Sequence, residues 1–247
     1  MTQSCPTAAL LGLVVAGCAT VPAREPAPDA LARAGQLLLV VSTDWTAPDG
    51  QLRRFERAAG ELWKPVGLPV AVMLGKSGLG WGRGLHGSTT AEPTKREGDG
   101  RAPAGVFEMG PAFGAGPAPE GLRLPWVTAT STAECVDDPK AARYNELVDT
   151  AVTPKDWQSS EELLRKDGLY ALGLFVRHNS APAVVGGGSC IFLHIWKGPG
   201  QPTVGCTSMA APQLREVLLW LDPARSPVLV QLPAAELEAR RAAWKLP

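Results

Sequence analysis

Short apolar runs that end at glycine or proline are the feature that most constrains the fold of this chain. Runs of strand length occupy residues 36–41, 68–74, 169–176, 190–196 and 227–232. The 247 residues contain 27 glycines and 23 prolines, and both residue types interrupt regular elements. The sequence therefore predicts a mainly β fold with a few short helices, built as one domain over residues 36–232.

Two segments have helical signals. Apolar side chains recur at helical spacing at Leu214, Val217, Leu218 and Leu221. Pro212 near the start and Pro223 just beyond the end support an amphipathic helix there. Ser159 with Glu162 three residues later forms a capping-box pattern and predicts a short helix of two turns. Residues 75–87 are rich in glycine and predict a loop, and residues 233–247 predict a C-terminal tail or a peripheral helix.

The N-terminal segment predicts export. A short apolar stretch over residues 8–16 is too short to span a bilayer. It ends in Val15-Ala16-Gly17-Cys18, which resembles the lipobox of bacterial lipoproteins. We therefore expect a signal peptide over residues 1–17, lipidation of Cys18 and a Pro/Ala-rich linker over residues 18–35. The alternatives are an ordinary cleaved signal or a buried apolar segment, and no Lys or Arg precedes residue 8.

The charge balance excludes one class of partner. Lys plus Arg and Asp plus Glu number 24 each, so no basic field attracts nucleic acid. We expect a lipid-anchored monomer in the cell envelope, facing the periplasm.

The cysteines suggest one disulfide and one free thiol. Cys135, Cys190 and Cys206 remain once the two N-terminal cysteines are set aside. In an oxidising compartment, an odd number favours one pair and one unpaired thiol. We expect Cys135 to pair with Cys190, although the count alone does not decide the pairing.

A nucleophile and a base occur close together near the C-terminus. His194 lies within the apolar run 190–196, and Cys206 follows Gly205 just before the amphipathic helix. A thiol at the start of a helix is favoured as the thiolate, and a nearby imidazole can accept its proton. The backbone N–H groups of Gly205 and Cys206 can form an oxyanion hole. Strand alternation places His194 on one face with Cys190, Phe192 and Trp196. The alternative interpretation is a satisfied core histidine and a small buried cysteine.

These motifs together resemble the catalytic end of the L,D-transpeptidase (YkuD-type) domain. The resemblance rests on Phe192-Leu193-His194 followed by Gly205-Cys206 and the amphipathic helix, and it extends upstream over residues 95–107, Cys135, Tyr144-Asn145 and His178-Asn179. It covers most of the chain after the linker and implies a β-sandwich of the YkuD type.

The resemblance also implies a reaction without a metal or other cofactor. Cys206 would attack an amide of a peptidoglycan stem peptide to give a thioester, which an acceptor amine then resolves. His194 would be the general base, oriented by the carbonyl group of Ile195. The same resemblance leaves open an L,D-carboxypeptidase or endopeptidase, in which water replaces the amine, and a non-catalytic lipoprotein that binds peptidoglycan.

The residues around Cys206 depart from the family pattern. Val204 stands where the family usually has His, and Ser208 where it often has Arg. His178 is a candidate for the missing imidazole. We accordingly name His178, Asn179 and Thr203 as candidate substrate-binding residues.

Overall fold

A computed structural model describes residue 1 and residues 27–87, 89, 91–180 and 182–247. The predicted lipidation site Cys18 and the signal segment after Met1 lie outside the described residues. Within the described ranges, no helix is long and apolar enough to cross a membrane.

The chain is mainly β, as the sequence predicts. The strands of the large sheet are β1 (Gln36–Ser42), β2 (Asp49–Glu56), β3 (Lys64–Met73), β4 (Leu79–Trp81), β5 (Ala102–Gly114), β6 (Trp126–Thr128), β10 (Leu172–Val176), β11 (Phe192–Ile195), β12 (Thr207–Met209) and β13 (Val228–Pro233). A second sheet contains β7 (Ala133–Val136), β8 (Leu147–Asp149) and β9 (Ser160–Glu162). The helices are α1 (Asp29–Arg33), α2 (Ala211–Trp220) and α3 (Ala234–Trp244), with a 3₁₀ turn at Pro223–Arg225.

Eight strands close into a mixed barrel in the order β10-β11-β12-β3-β2-β1-β13-β5. The ring closes because the long strand β5 pairs with β13 along one part of its length and with β10 along another. The family resemblance implies a β-sandwich, and the structure instead closes these eight strands into a barrel. The parallel strands β11 and β12 lie side by side in this ring, so the barrel places the segments of His194 and Cys206 next to each other.

The predicted helix after Ser159 is wrong. Ser160–Glu162 is strand β9, which pairs antiparallel with β7. The hydroxyl group of Ser160 donates to Glu134 Oε2 at 2.6 Å, so it bonds across the small sheet and not to a helix N-terminus. Tertiary pairing has overridden a local capping signal.

The helices extend the core beyond the boundaries predicted from the sequence. The amphipathic helix is confirmed as α2, and it buries Leu214, Val217 and Leu218. α1 buries Leu31 within the stretch expected to be linker, and α3 buries Trp244 within the expected tail. These apolar side chains belong to the main core cluster, so the folded body begins before residue 36 and ends after residue 232.

Gly173 allows the barrel to close beside His194. It pairs with His194 on β11 and with Phe113 on β5. A methyl group at this position would lie 2.3 Å from Cζ of Phe113, closer than any side-chain contact tolerates. The glycine therefore lets the Phe113 ring lie over β10 and pack in the second core cluster, which also contains Cys206.

We expect Gly173→Ala to lower the free energy of unfolding by about 2 kcal/mol, because overpacking forces strands β5 and β10 apart. Urea denaturation measures the change. Leu68→Ala is the control, since Leu68 lies on strand β3 and is 83% exposed; it should alter stability by less than about 0.5 kcal/mol. Equal stability of Gly173→Ala and the parent chain would contradict the proposed close approach.

Candidate active site

Cys206 lies immediately before a strand. β12 (Thr207–Met209) follows it, and α2 begins only at Ala211. The expectation that Cys206 stands at a helix N-terminus is therefore wrong, because the residues after it pair with β11 and β3 to complete the barrel. The helix dipole does not account for the chemistry of this thiol.

Cys206 and His194 face the same side of the sheet. In the parallel pair, His194 is in register with Ser208 on β12, and paired residues share a face. Phe192 and Cys206 belong to a second core cluster, whereas Leu193 and Met209 belong to the main one. The predicted face of Phe192 and His194 thus agrees with the structure, but Cys190 lies outside strand β11 and has a left-handed backbone with a φ of 52°.

A cavity of about 170 Å³ contains both groups. Its walls include Cys206, His194, Tyr170, Thr203, Ser208, Arg165 and Lys197. Four larger clefts on the described surface have no cysteine or histidine in their walls. Of these five cavities, the small one therefore has both a nucleophile and a base in its walls.

The imidazole of His194 is oriented by the backbone. Its Nδ1 atom lies 2.7 Å from the carbonyl oxygen of Ile195, as expected. A carbonyl oxygen only accepts, so Nδ1 carries the proton and Nε2 remains the basic nitrogen. Burial lowers the pKa of His194 to about 4, and the ring is therefore neutral at physiological pH and able to accept a proton.

The Cys206 thiol is buried and protonated in this structure. The residue is 4% exposed, the N–H of Phe192 donates to Sγ at 3.3 Å, and the thiol lies 3.6 Å from the carbonyl oxygen of Cys190. Burial, followed by the negative charge of Glu161, raises the pKa of the thiol to about 12. His194 is not among the hydrogen-bond partners described for the thiol, so any proton transfer between them requires a movement of one side chain or a bound substrate.

Tyr170 and Glu161 are site residues that the sequence interpretation missed. The hydroxyl group of Tyr170 donates to Glu161 Oε2, and Tyr170 lines the same cavity as Cys206. The Tyr170 ring packs edge-on against His194, with 5.2 Å between centroids. No spacing in the sequence links these residues, because Tyr170 lies in a turn before β10 and Glu161 comes from the small sheet.

Ser208 is a further missed residue. It is opposite His194 and lines the cavity, and its buried hydroxyl oxygen has no hydrogen-bond partner within the described part of the chain. It occupies the place where the resembled family often has Arg, and it offers a neutral donor in place of a cation.

Thr203 and Gly205 shape the loop before Cys206. The hydroxyl group of Thr203 donates to the carbonyl oxygen of Cys206 at 2.6 Å and accepts from the Gly205 N–H at 3.1 Å. The Gly205 N–H expected in an oxyanion hole is therefore already engaged. Thr203 does line the cavity, but its hydroxyl group serves the loop.

His178 and Asn179 are not brought into the cavity. Nδ1 of His178 accepts from the Arg83 N–H at 3.2 Å, and Nε2 lies 2.8 Å from the Gly187 carbonyl oxygen. Burial lowers the pKa of His178 to about 3. The amide of Asn179 bonds to the backbone of Val184 on both its nitrogen and its oxygen. Both residues are thus saturated by loop contacts, and His178 does not replace the missing imidazole.

The expected disulfide is present between Cys135 and Cys190, and Cys206 is the free cysteine of the described residues. The amide of Asn145 fixes the same region, since its Oδ1 accepts from the Cys190 N–H at 2.9 Å and its Nδ2 donates to the His178 carbonyl oxygen at 2.8 Å. The disulfide and this amide hold the segment that precedes β11.

Among the described residues, no group of His, Cys, Asp and Glu side chains is arranged to bind a metal.

Comparison with known proteins adds no relative. No protein-family model matches this chain, and no curated protein is significantly similar to it.

We expect Cys206 to react with iodoacetamide at least about a hundredfold more slowly in the native protein than in guanidinium, because unfolding exposes the thiol and returns its pKa to about 8.5. Mass spectrometry of non-reduced peptides follows the reaction and should show Cys135 linked to Cys190 throughout. A resting disulfide that contains Cys206, or equal rates in the two conditions, would contradict the structure.

Proposed function

We propose that this protein is a cysteine-dependent acyltransferase of the L,D-transpeptidase kind, acting on peptidoglycan stem peptides. The observation that carries the proposal is the cavity whose walls contain both Cys206 and a neutral His194 with its Nδ1 proton held by the backbone. A thiol and a correctly protonated imidazole in one cavity are what thioester chemistry requires. The mainly β fold and the resemblance of residues 192–206 to the YkuD-type domain support the same family.

In the proposed reaction, the Cys206 thiol gives its proton to Nε2 of His194, and the sulfur attacks the carbonyl carbon of a stem-peptide amide. His194 donates a proton to the leaving amine, and the carbon–nitrogen bond breaks to leave a thioester on Cys206. An acceptor amine then attacks the thioester and loses its proton to His194, which passes it to the Cys206 sulfur as the carbon–sulfur bond breaks. With the Gly205 N–H engaged by Thr203, the expected oxyanion donor is the N–H of Cys206.

The cavity walls suggest how a peptide is held. Arg165 and Lys197 are positively charged groups in those walls, and stem peptides end in carboxylates. Arg165 is paired with Asp167 at 2.5 Å, which leaves Lys197 as the more available cation. We propose that Lys197 takes the carboxylate-binding role that Arg often has in the resembled family.

The cell location is part of the proposal. A disulfide persists in oxidising compartments, and the pair Cys135–Cys190 therefore supports export to the cell envelope. The predicted lipid anchor at Cys18 would hold the domain at a membrane surface facing the periplasm, within reach of peptidoglycan.

One observation favours a second candidate function. The Cys206 thiol is buried, its pKa is about 12, and its described hydrogen bonds do not include His194. Such a site also fits a non-catalytic protein that binds peptidoglycan and retains the cysteine of a site that no longer catalyses a reaction.

A muropeptide assay tests the reaction. We expect the purified protein to form new cross-links between stem peptides, and Cys206→Ala to form none because the thioester has no sulfur. Chromatography with mass spectrometry of the digested products reads out the result. Trimmed stems without new cross-links would indicate a carboxypeptidase or endopeptidase, and unchanged muropeptides would refute the catalytic proposal.

Acylation by a carbapenem tests the base separately, because enzymes of the resembled family form a covalent adduct with these compounds. We expect His194→Gln to slow adduct formation on Cys206 by about 10²- to 10⁴-fold, since the general base is removed. His86→Gln is the matched control and should leave the rate unchanged, because His86 is not part of the cavity wall. Intact-protein mass spectrometry measures the adduct. An equal rate in His194→Gln and the parent chain would remove His194 from the mechanism.

A further inference from the structure

The positive charges without a partner are gathered on one part of the surface. Among the described residues, four arginine guanidinium groups have neither a hydrogen bond nor an ion pair, and they belong to Arg33, Arg83, Arg177 and Arg215. All four side chains are exposed. The first three of them lie in the walls of two adjoining clefts, so the uncompensated charge is concentrated there.

The two clefts form one continuous groove, which we call the arginine groove. Their volumes are about 600 and 370 Å³, and Leu85, Glu108 and Arg177 belong to the walls of both. Arg33 lines the larger cleft, and Arg83 lines the smaller one. Glu108 is the one acidic side chain among the described wall residues. Three guanidinium groups against one carboxylate give the groove an excess of two positive charges.

The groove lies between helix α1 and the end of strand β10. Ala30 and Arg33 on α1 form one wall. The opposite wall contains Arg177, which directly follows β10, and Glu108 on β5. The Arg177 N–H donates to the carbonyl oxygen of Glu108 at 3.0 Å. The backbone at this wall is therefore fixed by the closed barrel.

The groove and the candidate active site lie at opposite ends of β10. Tyr170 precedes this strand and lines the cavity that contains Cys206, whereas Arg177 follows it and lines the groove. The five residues of the strand span about 17 Å. The described walls of the groove and of the cavity have no residue in common, so a partner in the groove leaves the cavity open.

The chain enters its folded body beside the groove. Helix α1 is fixed to the barrel, because Leu31 is buried in the main core cluster and its carbonyl oxygen accepts from the Arg57 guanidinium group. Pro28 precedes this helix, ten residues after the predicted lipidation site Cys18. Ten residues span at most about 36 Å. A lipid on Cys18 would therefore hold the groove within about that distance of a bilayer.

We propose that the arginine groove faces the membrane and binds the phosphate groups of anionic phospholipids. Guanidinium groups bind phosphate oxygens through paired hydrogen bonds. Anionic lipid surfaces attract arginine side chains within a Debye length. The inference rests on the proposed anchoring in the cell envelope, and it does not depend on the reaction at Cys206.

Binding in the groove would orient the catalytic domain. A lipid anchor limits how far the domain lies from the bilayer, but it does not select the face that meets the lipid. With Arg33, Arg83 and Arg177 against the headgroups, β10 leads away from the membrane. The cavity with Cys206 is then at the far end of this strand, where peptidoglycan lies.

Vesicle flotation of the full chain tests the proposal. Cys18→Ala removes the predicted lipid, so that the anchor does not dominate binding. Partition coefficients are measured for vesicles of phosphatidylcholine alone and for vesicles with about one third phosphatidylglycerol. Apolar contacts contribute to both, so the ratio of the two coefficients isolates the effect of charge. We expect a ratio of about a hundred at low salt, which falls toward one in about 0.5 M salt.

Single substitutions locate the binding surface. Arg33→Gln, Arg83→Gln and Arg177→Gln should each lower the ratio about fivefold, because each removes one cation from the lipid surface. Arg215→Gln is the matched control. Arg215 is also exposed and without a described partner, but it lies on α2 outside the groove, so the ratio should not change. All four variants should keep the parent rate of carbapenem acylation at Cys206, since none is in the cavity walls.

Three results would overturn the proposal. The first is a ratio near one for the Cys18→Ala chain. The second is an equal loss in Arg215→Gln, which would indicate a general effect of net charge. The third is binding to isolated peptidoglycan that the groove variants lose while the vesicle ratio stays near one, which would assign the groove to the wall polymer. Vesicle binding needs no peptide, so a negative muropeptide assay would refute the proposed reaction and leave this test intact.

Discussion

The double pairing of strand β5 is the constraint on which the rest of the structure depends. Its thirteen residues bond to β13 on one side and to β10 on the other, and this closes eight strands into a barrel. Closure leaves β10, β11 and β12 as consecutive neighbours. His194 and Cys206 come from the last two of these strands and the loop before them. The proposed catalytic pair is therefore a consequence of the ring, and Gly173 permits the close approach that completes it.

The second theme is the balance of forces on one buried thiol. Burial and the charge of Glu161 hold the pKa of Cys206 high, whereas the Phe192 N–H, Lys95 and Tyr170 act in the opposite direction. A resting thiol of this kind is protected from oxidation, since the thiolate is the reactive form. The Phe192 N–H already donates to this sulfur and would stabilise the thiolate once the proton has moved.

Much of the local structure could be predicted from particular residues. The runs around Leu38, Val72, Leu174, Leu193 and Val230 are all strands, and the spacing of Leu214, Val217 and Leu218 does mark a helix. The structure has the expected Cys135–Cys190 disulfide with Cys206 unpaired, although the cysteine count alone did not decide the pairing. Predictions that depended on a single short motif were less accurate. The capping-box pattern that begins at Ser159 leads into strand β9 and not a helix. The Gly205 N–H, which we expected in an oxyanion hole, donates to the Thr203 hydroxyl group.

By itself, the sequence determined which residues could carry chemistry and that the fold would be mainly β. Both follow from local signals, because residue type and apolar periodicity involve only residues that are close together in the chain. The tertiary structure decided what surrounds them. It placed Cys206 before a strand instead of a helix, saturated both ring nitrogens of His178, brought Tyr170 into the cavity wall that contains Cys206, and brought Glu161 to the Tyr170 hydroxyl group. These outcomes depend on pairing between segments far apart in the chain, such as Cys135 with Glu161 and Gly173 with Phe113, and no local pattern encodes such partners.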